Sequence, residues 1–260
     1  MNQPSQTPFD LALLHELTSL MWEVSDVILE VYYSGELNTE LKGDCSPVTQ
    51  ADLAAHHLLV NRLSQLTPNM PVVSEEDPDS LRIPDTVQRY WLIDPLDGTK
   101  EFVNRNDEFT CNVAWIDSNK TIYGFVSVPV LGLLFHGGGQ QGAYRIDRPS
   151  VETRIQCKPQ TNPTRVVASK SHLNPETTAF INAIETPIEL IQAGSSLKFL
   201  RIADGSADLY PRLAPTCEWD TAAAQAILEG AGGSVKQLDG SLITYGKTQI
   251  LNPHFIAAAL

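Results

Sequence analysis

Glu75, Asp94, Asp97 and Asp220 are the residues of this chain best able to do chemistry together. Tyr90-Trp91-Leu92-Ile93 is a run of apolar residues, which reads as a short buried strand delivering Asp94 at its end. Pro95 cannot donate to a sheet ladder, which predicts that the strand stops there. Asp97 follows on the same turn, and Gly98 permits a tight or left-handed backbone. Upstream, Val72-Val73-Ser74 reads as a second strand running into Glu75-Glu76-Asp77; far downstream, Trp219-Asp220-Thr221 opens an alanine-rich helix. A carboxylate at a helix start is favoured in its ionised, metal-binding form by free N–H groups and the helix dipole.

Four carboxylates cannot meet bare. Two like charges about 4 Å apart repel by about 4 kcal/mol at an effective dielectric of about 20. Protonation or a cation must relieve that, and oxygen ligands with no His or Cys nearby point to Mg²⁺ rather than zinc. Two such ions held by shared carboxylates are a device of phosphoryl chemistry. Taken singly, each acid reads equally well as a turn former or a helix cap. The site is carried by the order: a strand ending in acid, then strand-Asp-x-x-Asp-Gly-Thr, then Trp-Asp at a helix start.

The elements around these acids are legible from periodicity. Residues 8–33 carry an apolar stripe (Leu14, Leu17, Met21, Val24, Ile28, Val31) at steps of three and four, which predicts an amphipathic helix. A second helix is expected from Thr49 to about Leu66, with Thr49 and Asp52 resembling a capping box. Strands are expected over 109–116, 121–130, 132–136 and 142–146, with Gly137-Gly138-Gly139 as a turn. The polar stretch 148–163 reads as the passage from an N-terminal α+β lobe (1–150) into a C-terminal α/β lobe (151–260). In the second lobe, strands near 166–168, 188–192 and 208–213 alternate with helices at 175–184, after Ser196, and at 220–230. The expected class is α+β, in layers.

With 260 residues the chain can bury a sizeable core, and its net charge of −13 argues against a basic nucleic-acid face. An acidic protein can still take an anionic substrate where metals invert the local field. The four cysteines form no Cys-x-x-Cys pair, which suits free thiols in a reducing cytoplasm. No signal peptide or membrane-spanning run is read, so a cytoplasmic protein is expected. Peripheral membrane association and the choice between monomer and homodimer are left open.

Asp94-Pro95-Leu96-Asp97-Gly98-Thr99, Glu75-Glu76 and Trp219-Asp220 together resemble the lithium-sensitive, magnesium-dependent phosphatases of the inositol monophosphatase superfamily. Three further features are similar to its 3′(2′),5′-bisphosphate nucleotidases of the CysQ type: the stretch 42–52, Lys100 after Asp-Gly-Thr, and Gly194-Ser195-Ser196-Leu197-Lys198 followed by Tyr210-Pro211-Arg212. The resemblance runs from about Leu11 to the C-terminus and implies a layered α/β/α/β/α sandwich. It implies that Glu75, Asp94 and the Leu96 carbonyl hold one Mg²⁺, and that Asp94, Asp97 and Asp220 hold a second, with a third ion near Glu75 as an option. It implies that Thr99, with Asp52 as proton acceptor, orients the attacking water. Substrate contacts are implied also for Glu75, Leu96, Asp97, Gly98, Thr99 and Asp220. His172, Ser195, Lys198 and Arg212 would meet the nucleotide and its second phosphate. The implied reaction is a phosphoric monoester hydrolysis of sulfur metabolism. Adenosine 3′,5′-bisphosphate (PAP) goes to AMP, and its sulfated analogue PAPS to adenylyl sulfate, by metal-activated water attack. The alternatives are an inositol or fructose phosphatase of the same fold, or a non-catalytic metal-binding regulatory protein.

Overall fold

A computed structural model of the chain describes residues 9–34, 39–41, 47–81, 87–169 and 173–260. The elements run α1 Leu11–Ser34, β1 Thr39–Leu41, β2 Pro47–Thr49, α2 Gln50–Leu66, β3 Val72–Ser74, β4 Arg89–Asp97, α3 Thr99–Val103, β5 Thr110–Asp117, β6 Lys120–Val128, β7 Leu133–Gly138, β8 Gly142–Asp147 and β9 Val151–Ile155. They continue as β10 Thr164–Ser169, α4 Pro175–Asn182, β11 Ile188–Ala193, α5 Leu197–Ala203, β12 Leu209–Arg212, α6 Ala222–Gly230, β13 Gly233–Gln237 and β14 Phe255–Ala259.

Two sheets result. The larger runs β3-β4-β5-β6-β7-β8-β9, antiparallel except for the β3/β4 pair; the smaller runs β11-β10-β12-β14-β13. The apolar stripes decide how they stack. Leu17, Met21, Val24 and Ile28 of α1 and Ala55, Leu59 and Leu63 of α2 pack on Trp91, Ile93, Val113 and Phe125 of the large sheet. The opposite face, through Tyr90, Leu92, Ala114 and Val126, packs on α5 and α6, which also cover the small sheet through Val167, Tyr210 and Phe255. Ile181 of α4 covers the outer face of the small sheet at Val166 and Ala168. The order of layers is α/β/α/β/α. Helix α6 comes so close to the large sheet that a Cβ on Gly124 would sit 2.0 Å from the Ala223 carbonyl oxygen, a place no side chain can occupy.

Four expectations are corrected. Strand β4 does not stop at Pro95 but runs on to Asp97 through a bulge between Asp94 and Asp97. Gly137 and Gly138 belong to β7, and only Gly139 lies in the turn. The polar stretch after Arg148 contains β9, which pairs with β8 as the edge of the large sheet. Helix α6 starts at Ala222 with Thr221 as its cap, so Asp220 lies in the turn before it. Among the described residues, no helix is long and apolar enough to cross a membrane.

Candidate active site

The bulge in β4 is what makes the site. Along a regular strand, residues three apart point to opposite faces. Here Asp94 pairs with Asn112 and Asp97 with Thr110, so three steps on β4 match two on β5. Asn112 and Thr110 share a face of β5, so their partners do too. The extra residue, absorbed at Pro95-Leu96, turns both acids toward α5 and α6. The backbone then tightens: the Leu96 N–H donates to Asp94 Oδ1 at 3.1 Å, and Gly98 takes φ +91°. A Cβ on Gly98 would stand 2.2 Å from Ser195 Oγ, so this position needs glycine for both its angle and its space.

Glu75 enters from the end of β3, whose parallel pairing with β4 sets Ser74 beside Ile93. Asp220 enters from the turn before α6, where its Oδ2 accepts from Thr216 Oγ1 at 2.6 Å and from the Cys217 N–H at 2.8 Å. That turn is clamped by residues that carry no signal in the sequence. Buried Glu218 accepts the N–H groups of Gly246 and Lys247 at 2.8 and 3.0 Å and pairs with the Lys247 ammonium. Asn252 Nδ2 donates to the Cys217 carbonyl at 2.7 Å and to Thr221 Oγ1 at 2.9 Å.

Glu75, Asp94 and Asp220 each offer an oxygen within 4.8 Å of the others. Asp97 stands just outside that triangle but feels its charge. Burial and then the Asp220 and Glu75 charges push its carboxyl up to about 7, with Lys198 opposing. Burial holds Asp94 well above the usual carboxylate range as well, with Glu75, Asp97, Asp220 and Asp52 adding to it. Asp220 is raised by burial against the pull of its two donors. Close-set carboxylates that resist ionisation together are what an absent cation would relieve. The donor set is hard oxygen, which fits a divalent metal of that kind.

Thr99 opens α3 beside the cluster. Its hydroxyl lies 3.2 Å from Asp52 Oδ1 and 3.4 Å from the Leu96 carbonyl. Asp52 does two jobs. Its Oδ2 accepts from the Thr49 N–H at 2.8 Å and the Thr49 hydroxyl at 2.6 Å, completing the capping box of α2, while Oδ1 faces Thr99.

On the other side, a pocket of about 160 Å³ is lined by Asp97, Gly98, Lys198, Tyr210, Arg212 and Asp220 among others. Lys198 is buried, its ammonium donating to the Ser195 carbonyl at 2.5 Å and lying 5.6 Å from the Tyr210 ring centroid. Burial pulls Lys198 down to about 8, Asp97 holds it up, and Arg212 lowers it again. Arg212 donates through Nη2 to the Pro215 carbonyl at 2.7 Å, and its buried Nε has no hydrogen-bond partner among the described residues. The Ser195 hydroxyl, expected at the substrate, is turned onto the backbone, 2.9 Å from the Asp97 carbonyl and 2.7 Å from that of Glu108. Ser195 takes φ +45° to reach them. His172 and the stretch 42–46 lie outside the described residues.

The model of the inositol monophosphatase family matches residues 12–259. A 3′(2′),5′-bisphosphate nucleotidase CysQ from Salmonella typhimurium is 40% identical over 94% of this chain and 98% of its own. One from Buchnera aphidicola is 33% identical over 95% of this chain and 94% of its own. The crystal structure of CysQ from Bacteroides thetaiotaomicron superposes with a TM-score of 0.84 at 34% identity, covering 98% of this chain and 99% of that one. Matched over nearly its whole length by the family model and by relatives 33–40% identical, the chain belongs to the inositol monophosphatase family.

Proposed function

We propose that the protein is a Mg²⁺-dependent 3′(2′),5′-bisphosphate nucleotidase, releasing the 3′-phosphate of adenosine 3′,5′-bisphosphate and acting also on its sulfated analogue. The observation that carries this reading is the sharing of one pocket by carboxylates Asp97 and Asp220 and cations Lys198 and Arg212. Acids that can gather metal stand against cations that can take a second phosphate. Glu75, Asp94 and the Leu96 carbonyl would hold one ion, and Asp94, Asp97 and Asp220 another. Bound there, Mg²⁺ supplies positive charge for the phosphoryl oxygens and a more acidic water.

The chain's own residues do the rest. Asp52 Oδ1 takes a proton through the Thr99 hydroxyl, which orients the nucleophile. Lys198 and Arg212 bind the second phosphate, Arg by its planar fork and Lys as a point charge. The unpartnered Arg212 Nε supports that role, since a buried guanidinium N–H calls for an acceptor.

A substrate panel with purified protein and Mg²⁺ tests the reading. Phosphate release from adenosine 3′,5′-bisphosphate is expected at a kcat/KM at least about 100-fold above that for inositol 1-phosphate, because losing a buried charge-assisted contact costs about 3 kcal/mol. A preference for the inositol ester would overturn the substrate assignment.

A second expectation concerns pH. Without metal, Asp94, Asp97 and Asp220 ionise later in the folded state than in the unfolded chain. As pH rises from about 4, the unfolded chain gives up these protons first, so this contribution to stability falls until the folded values are passed, about 7 for Asp97. A bound cation cancels that penalty. The rise in Tm on adding Mg²⁺ is therefore larger at about pH 7.5 than at about pH 5, reaching about 5–10 °C at 100 times the Kd. Calorimetric melts with Mg²⁺ and with EDTA measure it; an equal shift at both pH values would contradict the metal assignment.

A further inference from the structure

Under Asp97 runs a line of buried polar side chains that neither water attack nor phosphate binding uses. Thr110 is 0% exposed, and Asn112 and Ser196 are 1% exposed. Thr110 Oγ1 lies 3.4 Å from Asp97 Oδ2 and 2.8 Å from Ser196 Oγ, which lies 2.8 Å from Asn112 Oδ1. The bulge in β4 is what sets Asp97 opposite Thr110.

Proton bookkeeping decides which way these bonds run. Thr110 and Ser196 each own one hydroxyl proton. With the Asn112 oxygen facing Ser196, the Ser196 proton goes to Asn112 and the Thr110 proton to Ser196. Nothing is then left for Asp97, and Asn112 Nδ2 is buried with no hydrogen-bond partner among the described residues. An amide has the same shape either way round. Turned over, Asn112 donates an N–H to Ser196 Oγ, Ser196 donates to Thr110, and Thr110 donates to Asp97 Oδ2. Every bond now points toward the carboxylate.

We propose that Asn112, Ser196 and Thr110 form a one-way donor relay that fixes the Asp97 carboxylate in its metal-binding orientation. These are positioning residues: they act through Asp97. A carboxylate at a strand end can rotate about its last torsion; a hydroxyl donor on Oδ2 holds it in place. Partners behind a metal ligand typically carry about 10–100-fold in metal affinity. The inference rests on Asp97 being a metal ligand.

Calorimetric titration of Mg²⁺ into the metal-free protein, with metal-free Tm as the folding control, tests it. Thr110→Val keeps the side-chain shape and is expected to weaken Mg²⁺ binding by about 10-fold or more. Ser196→Ala does the same, and Thr110→Ser, which keeps the hydroxyl, restores most of the affinity. Because the groups act in series, the Thr110→Val/Ser196→Ala double variant binds no more weakly than Thr110→Val alone. Wild-type affinity in Thr110→Val, equal weakness in Thr110→Val and Thr110→Ser, or losses that multiply in the double variant would each overturn the relay. A wild type that takes up no Mg²⁺ would sink the metal assignment and the relay with it.

Discussion

Asp94→Asn is expected to give a folded protein whose phosphatase activity is lower by at least about 10⁴-fold, about 5.5 kcal/mol of barrier. Asp94 sits at the centre of the acid cluster, 1% exposed, with Glu75, Asp97, Asp220 and Asp52 all acting on its charge. In the proposed scheme both ions share it, and an amide offers each a neutral, weaker oxygen. The same change removes a carboxyl whose ionisation the metal-free protein opposes through burial and its acid neighbours. The variant should therefore melt in EDTA at the same temperature as the wild type or higher, while losing the Mg²⁺-dependent rise. Phosphate-release assays and melts with and without Mg²⁺ check both halves. Turnover near the wild-type rate would refute the shared ligand; a melt in EDTA lowered by more than a few degrees would refute the stored repulsion.

Asp52→Asn is expected to lower kcat by about 10²–10⁴-fold with little change in stability. Two donors of Thr49 hold Oδ2, so the amide oxygen of the variant takes that place and keeps the capping box. The new NH₂ then faces Thr99, where Oδ1 now lies 3.2 Å from the hydroxyl. An amide N–H cannot accept a proton, so the Thr99 hydroxyl loses its acceptor. Thr99→Ala should cost a similar factor, and the double variant no more than the worse of the two, because the residues act as one unit. A loss below about 10-fold in Asp52→Asn would leave Asp52 as a helix cap and nothing else.

The acids themselves were legible in the sequence because their types and order carry the chemistry: strand-acid, Asp-x-x-Asp-Gly-Thr, Trp-Asp. The layers were legible too, since the apolar stripes of α1 and α2 need a sheet face to cover. The bulge was not. Pro95 reads as the end of a strand, and only the pairing of Asp94 with Asn112 and of Asp97 with Thr110 shows the ladder resuming beyond it. The parity argument that puts both carboxylates on one face needs that partner strand. Asp220 misled for a related reason: Trp-Asp-Thr before a run of alanines looks like a helix cap, yet its carboxylate bonds backward to Thr216 and Cys217. Ser195 lines the pocket as expected of a ligand contact, while its hydroxyl is spent on the carbonyls of Asp97 and Glu108. Thr110, Asn112, Glu218 and Asn252 carry no signal of their own, because strand and loop positions with ordinary side chains show their partners only once the fold brings distant segments together.

Crystals grown with Mn²⁺ and adenosine 3′,5′-bisphosphate would test the central claim most directly, since Mn²⁺ takes the same oxygen ligands and scatters anomalously. Anomalous peaks are predicted among Glu75, Asp94, Asp97 and Asp220, with the 3′-phosphate beside them and the second phosphate toward Lys198 and Arg212. A nucleotide bound with no peak among those carboxylates, or with its 3′-phosphate directed away from them, would contradict it.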